Sequence, residues 1–319
     1  MKFFLFFSVF FLSQAVYAGN QASYERWVSQ FKARATAQGV SATTLNKAFT
    51  ATKFLPRVIE LDQKQPEGKL TFSEYKKRIV SAHRINKGRS ELRKHRAILD
   101  EIGNAYGVQP QYIVALWGIE TNFGSNTGGF SVVDSLATLA FEGRRAAFFE
   151  KELVNALKII DAGHIKANNM KGSWAGAMGQ SQFMPSSFLA YAQDYNKDGK
   201  KDIWGTRADV FASAANYLAS SGWKGDEKWG RLVNANVPET MIDRKNKKML
   251  SEWSRMGVRL PNGSALPVAN MRAGMVAPDG LTGAKYLTYG NYDVIMKWNR
   301  STYFATSVGL LADAIAAGQ

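Results

Sequence analysis

Apolar side chains recur every three or four positions over most of this chain, and that period predicts helices. Over residues 24–54 the apolar positions are Trp27, Phe31 and Ala35, then Leu45, Ala48 and Phe49. Pro56 interrupts the run, and Gln65-Pro66-Glu67-Gly68 reads as a turn. A long basic helix is predicted over 73–106, closed by Gly107 just past its end. Pro110 opens a short apolar helix that runs to Thr121, and residues 124–129 form a polar, glycine-containing loop. Ser131 or Asp134 caps the next helix, and others are predicted over 146–162, 185–191, 209–220 and 302–317. After Gly230 the texture changes. Val237-Pro238, Pro261-Asn262-Gly263, Pro267 and Pro278-Asp279-Gly280 punctuate short segments such as Tyr286-Leu287-Thr288-Tyr289, the pattern of a small β-containing lobe. The expected class is mainly α (α+β), with a helical domain over 19–235 and a lobe with its closing helix over 236–319.

The first 18 residues depart from this pattern. Lys2 precedes an apolar run, Phe3 to Leu12, shorter than the ~20 residues of a membrane span. Val16-Tyr17-Ala18 then supplies the exit of a secretory leader cut after Ala18; an uncleaved anchor is the alternative. No later stretch is long enough to span a bilayer, so a soluble exported protein is expected. There are no cysteines, which excludes disulfides, a thiol nucleophile, a thiolate metal site and a lipidated cysteine. The chain of 319 residues is 45% hydrophobic and 21% charged, a globular balance that argues against disorder. Its net charge is +15, and a leader carrying only Lys2 would leave +14. Such a balance suits an anionic partner: nucleic acid, acidic lipid, or peptidoglycan with its carboxylate-bearing stem peptides. Stretches such as 87–96 (KGRSELRKHR) read equally well as solvated faces.

Three places carry candidate chemistry. Glu120 shares a helix face with Ile113, Leu116 and Trp117 and lies near the helix C-terminus. An apolar stripe and the negative end of the helix dipole both disfavour its charged form, which is what a general acid needs. The plain alternative is a carboxylate that reaches solvent or pairs with an arginine. Gly172 to Gly179 is rich in small residues and leads to Gln182, whose amide suits an acetamido group, with Phe183, Met184 and Trp174 as an apolar wall for a sugar face. Tight packing around the glycines explains that stretch as well. Third, Asp194, Asn196, Asp198, the Lys200 carbonyl and Asp202, with Gly199 at the sixth position, match a calcium loop. Its twelfth position is Gly205 instead of Glu, and Asp209 is the next carboxylate; an ion-free polar turn is the alternative. Arg144-Arg145 forms a ready fork for carboxylates. His83, His95 and His164 have no metal-ligand spacing.

Together these pieces resemble the membrane-bound lytic transglycosylase B family, which has a lysozyme-like fold. The matching stretches are Val58-Ile59-Glu60-Leu61-Asp62-Gln63-Lys64-Gln65-Pro66, Trp117-Gly118-Ile119-Glu120-Thr121-Asn122-Phe123-Gly124, 172–187, the Asp194 loop, Ala215-Asn216-Tyr217 and Trp298-Asn299-Arg300-Ser301. The resemblance implies a non-hydrolytic cut between N-acetylmuramic acid and N-acetylglucosamine, with Glu120 as the single catalytic carboxylate, and the leader implies that this happens in the periplasm. It also implies that Ser173 and Gln182 orient the acid or meet the acetamido group, that Tyr75 and Tyr217 line the cleft, and that Arg144 and Arg145 meet the peptide-bearing side. Asn299 falls on a cleft asparagine, while Trp298 stands where a tyrosine is usual. The implied partner is a glycan strand and not nucleic acid, with no cofactor for catalysis; a monomer is expected, and the Asp194 loop leads to the expectation of a structural Ca²⁺. The calcium loop has one residue more before Asp209 than the family pattern. A hydrolytic muramidase on the same fold and a non-catalytic wall-binding protein are the rival readings.

Overall fold

Short polar residues and prolines mark where the helices begin. Ser41, Thr71, Ser81, Ser131 and Ser301 each accept a backbone N–H in the first turn of a helix. Pro56, Pro110 and Pro185 each sit at a first turn, where the missing N–H has no intrahelical partner to lose. The computed structural model describes residues 7–64 and 70–318, with side chains from residue 20 onward. The expected leader over 1–18 and the turn at 65–68 thus lie outside the described residues or side chains. Among the described residues no helix is long and apolar enough to cross a membrane.

Two sequence expectations change. The 24–54 run is the end of one helix, Phe7–Ala37, and a second, Ala42–Ala48; Gly39 at φ 88° makes the turn between them. The single basic helix expected over 73–106 is three helices, Phe72–Ile79, Ala82–Lys94 and Arg96–Tyr106. Ser81 caps the second, and His95, at φ −106° and ψ 19°, separates the second from the third.

The chain divides into two compact units, residues 1–66 with 126–209 and residues 67–125 with 210–319. The boundary expected at 235 lies inside the second unit. The reason is the closing helix Thr302–Ala316, which packs on Pro110–Thr121 and Ala82–Lys94 and so joins the end of the chain to its early helices.

In the first unit, helix Val132–Glu142 packs on Ala146–Asp161, which also receives Pro185–Tyr191. Buried Glu152 accepts the Ser186 N–H at 2.8 Å, placing a carboxylate at the positive end of the Pro185–Tyr191 helix. Phe130–Ser131 pairs antiparallel with Lys171–Gly172, which pins one end of the glycine-rich loop.

In the second unit, Pro110–Thr121 is buried along most of its length, each large apolar side chain contributing roughly 1.5–3 kcal/mol. The β-containing lobe is an antiparallel sheet in the order Gly230–Val233, Lys285–Thr288, Arg272–Val276, Lys248–Met249. Trp253, Leu250, Val258, Leu266, Met275 and Leu287 form its core. The fold is therefore mainly α with a small antiparallel sheet, as the period of the sequence predicts.

Candidate active site

Glu120 is the penultimate residue of the Pro110–Thr121 helix, with Ile113, Leu116 and Trp117 buried on the same face. Burial pushes its carboxyl up to about 7, and a hydrogen bond from Trp298 pulls the other way without cancelling the rise. That bond runs from Trp298 Nε1 to Glu120 Oε1 at 2.7 Å. Oε2 accepts no hydrogen bond from the described residues and is not one of the fully buried unpartnered atoms, so it keeps contact with solvent.

Local backbone fixes where Glu120 stands. Asn122, Phe123 and Gly124 all take positive φ, at 50°, 61° and 78°. The N–H groups of Asn122 and Phe123 return to the carbonyls of Gly118 and Trp117 and close the helix. A left-handed phenylalanine is unfavourable unless its surroundings hold it. Here the ring lies 5.5 Å from Trp117 and fills the space over Gly118, where an added Cβ would come within 2.7 Å of it. The glycine of the Trp-Gly-Ile-Glu stretch is thus there for Phe123.

The same unit brings other expected residues to this region. The Trp298 ring is 4.7 Å from that of Tyr217, whose hydroxyl donates to the Lys297 carbonyl at 2.8 Å. Tyr75 has its phenol pushed up by burial and, secondarily, by the charge of Glu120; its ring is 5.7 Å from Tyr303. Asn299 is exposed, and its Oδ1 accepts the Ser301 N–H at 3.1 Å, shaping the turn into the closing helix.

The first unit holds the remaining candidates. Ser173 Oγ accepts the Ala177 N–H at 3.0 Å, and Met178 and Phe183 exchange backbone hydrogen bonds. The glycines serve this packing. A Cβ on Gly172 would lie 2.2 Å from the Ala177 carbonyl oxygen, and one on Gly176 2.5 Å from Leu136. Gln182 donates its amide to the carbonyls of Thr127 and Gly179, at 3.2 and 2.9 Å, leaving Oε1 to accept. Phe183 corrects the sequence reading. It is 2% exposed, with its ring packed inside the protein, so it cannot serve as a wall for a sugar; Trp174 and Met184 are only partly buried.

Arg144 and Arg145 are not simply solvated. Both donate to Asp62, Arg145 at 2.7 Å, and the carboxylate is buried while the two guanidinia are about half exposed. In the Asp194 loop, Asp194 accepts the N–H groups of Asp198 and Gly199, and Asp198 accepts that of Lys200. Asp202 turns away to accept the N–H groups of Trp204 and Gly205. Asp209 is fully buried, and its two oxygens accept the N–H groups of Tyr195 and Asp202, each at 2.8 Å. Among the described residues no three His, Asp or Glu side chains form a metal-holding group.

Residues 23–313 match the family model described as Transglycosylase SLT domain. The chain belongs to this family. It is 33% identical over 246 residues to membrane-bound lytic murein transglycosylase B of Escherichia coli (strain K12), a match covering 76% of this chain and 66% of that relative, just under two thirds of its length. Among solved structures it is similar to SltB3 from Pseudomonas aeruginosa in complex with NAG-anhNAM-pentapeptide, with a TM-score of 0.89 and 40% identity over 92% of this chain and 79% of that one. It is also similar to the Escherichia coli lytic transglycosylase Slt35 in complex with calcium, with a TM-score of 0.79 and 29% identity over 94% of each chain.

For this transglycosylase-family chain, two residues stand out that sequence reading gave no role. Trp298 touches the candidate acid directly, and Asp62 holds both arginines. The signal for Asp62 was its place in the 58–66 stretch, and that for Trp298 its place in the Trp298-Asn299-Arg300-Ser301 stretch.

Proposed function

We propose that this protein is a lytic transglycosylase that cuts the β-1,4 bond between N-acetylmuramic acid and N-acetylglucosamine in peptidoglycan without water. The observation that carries the reading is Glu120, a carboxyl lifted to about 7 with one oxygen held and the other open. A group titrating there can serve as acid and then as base near neutral pH. Glu120 gives its proton to O4 of the leaving N-acetylglucosamine as the C1–O4 bond breaks. The substrate's own acetamido oxygen stabilises the charge at C1. The C6 hydroxyl then bonds to C1, and its proton returns to Glu120. The product carries a 1,6-anhydromuramic end, and the NAG-anhNAM-pentapeptide bound by the SltB3 relative supports this outcome.

The other residues fit supporting roles. Gln182 Oε1 accepts from the acetamido N–H, and Ser173 orients the acid or meets the same group. Tyr75, Tyr217 and Asn299 contact the glycan, and the outward donors of Arg144 and Arg145 meet stem-peptide carboxylates. The enzyme acts as a monomer in the periplasm after loss of residues 1–18. Glu120→Gln tests the reading: it keeps the shape but cannot donate the proton, so sacculus binding should persist and turnover should vanish. Full turnover in this variant would refute the assignment.

A structural Ca²⁺ in the Asp194 loop belongs to the same reading, and the calcium complex of Slt35 supports it. The loop supplies hard oxygen donors from Asp194, Asn196, Asp198 and the Lys200 carbonyl, which suits this ion. Asp202 is left out because its carboxylate holds the turn after it, and Asp209 clamps the loop from below through two amides. When bound, the ion would only stiffen the loop.

A further inference from the structure

We infer that Trp298 is the positioning residue that decides which oxygen of Glu120 carries the proton, because an indole donates a hydrogen bond and cannot accept one. The inference rests on Glu120 being the acid and base.

The contact is 2.7 Å, within the range of a hydrogen bond to an ionised acceptor. In a neutral carboxyl group the carbonyl oxygen accepts far better than the hydroxyl oxygen. An N–H aimed at Oε1 therefore makes Oε1 the carbonyl and puts the proton on Oε2. Among the described residues no side chain or backbone donor reaches Oε2, so the proton stands on the oxygen that the protein leaves unoccupied. A tyrosine in this place would bring a hydroxyl that donates or accepts, and it would allow the proton on either oxygen. The indole removes one of these two states.

The same bond works through both half-reactions. As the proton moves from Oε2 to O4 and the C1–O4 bond breaks, charge spreads onto Oε1 and the N–H bond strengthens. The carboxylate is held in place while O6 bonds to C1 and its proton returns to Oε2. Trp298 can do this because it is itself fixed: it is the last residue of helix Gly290–Trp298, and its ring stacks edge-on against Tyr217. The titratable and charged groups around the pair are Tyr75, which faces Glu120; Arg84, which faces Tyr75; Lys87, 5.4 Å over the Phe123 ring; Tyr217; and Lys297, whose ammonium donates to the Ser221 carbonyl at 2.7 Å.

The test is the pH profile of kcat/KM on sacculi for Trp298→Phe and Trp298→Tyr. Loss of the donor disfavours the carboxylate, so the alkaline limb of Trp298→Phe should move up by about one pH unit, and Trp298→Tyr should move it back toward the native position. A limb that stays put in Trp298→Phe, whatever happens to the rate, overturns the inference. Should Trp298→Phe fail to fold, the indole ¹⁵N–¹H resonance of Trp298 in the native enzyme decides. It should titrate at the pH of the alkaline limb and stop titrating in Glu120→Gln; a resonance indifferent to pH overturns the inference. Full activity of Glu120→Gln would instead sink the functional reading itself.

Discussion

Arg145 donates to Asp62 at 2.7 Å, and the acceptor is buried while the donor stands half in solvent. Arg144 is held by the other oxygen of the same carboxylate. One buried anion thus aims two guanidinia outward with donors to spare, a net positive fork matched to carboxylates. Asp62→Asn keeps the shape and removes the charge. Thermal melting should fall by a few degrees, and binding of peptide-bearing sacculi should weaken several-fold more than binding of peptide-free glycan. Equal loss on both substrates would show that the fork does not read the peptide.

Glu120 shows a conflict between stability and chemistry. Its carboxyl is raised from 4.5 to about 7, so the folded state disfavours ionisation. Stability is fully present below about pH 4.5 and is lost as pH rises through 7, by on the order of 3 kcal/mol. Glu120→Gln should therefore melt higher than the native protein at pH 8 and close to it at pH 4. Native kcat/KM should drop about tenfold per pH unit above 7. Identical melting curves for the two proteins at pH 8 would contradict the assigned environment.

Gly118→Ala pits two effects against each other. Alanine favours the helix by up to about 1 kcal/mol. Its Cβ would lie 2.7 Å from the Phe123 ring, and that ring has little room to move, with Trp117 on one side and Gly88 near it on another. Overpacking of this kind costs about 1–3 kcal/mol and should win. Denaturant unfolding should show a net loss of about 1–2 kcal/mol, and turnover should fall with it because Glu120 lies two residues on.

How much of this was legible in the sequence depends on the range of the interaction. The Pro110–Thr121 helix and the Ser131 cap were readable because proline, cap and apolar period are local signals. The breaks at Ser81 and His95 were not, since neither residue disturbs the apolar period. Phe183 misled because an aromatic in a loop reads alike whether it faces in or out. Asp62 meets its arginines across 82 and 83 residues, and Trp298 meets Glu120 across 178, distances over which no pattern announces a partner.

The Asp194 loop gives a separate prediction. Lys197, Lys200 and Lys201 oppose a cation, so affinity should be weak, toward the millimolar end of the calcium-loop range. Added Ca²⁺ should raise the melting temperature and a chelator should lower it, with both effects absent in Asp194→Ala. Asp202→Asn should leave the calcium response in place, since that carboxylate holds backbone amides instead. An unchanged melting temperature under both treatments would remove the ion from the account.

Mass spectrometry of the muropeptides released from purified sacculi tests the central claim most directly. A hydrolase adds water at C1 and leaves a reducing muramic end, which needs a second carboxylate to activate that water. Glu120 working alone, with O6 of the substrate as nucleophile, leaves an anhydro end lighter by one water. The account predicts 1,6-anhydromuramic ends as the main product and none from Glu120→Gln; reducing muramic ends as the main product would contradict it.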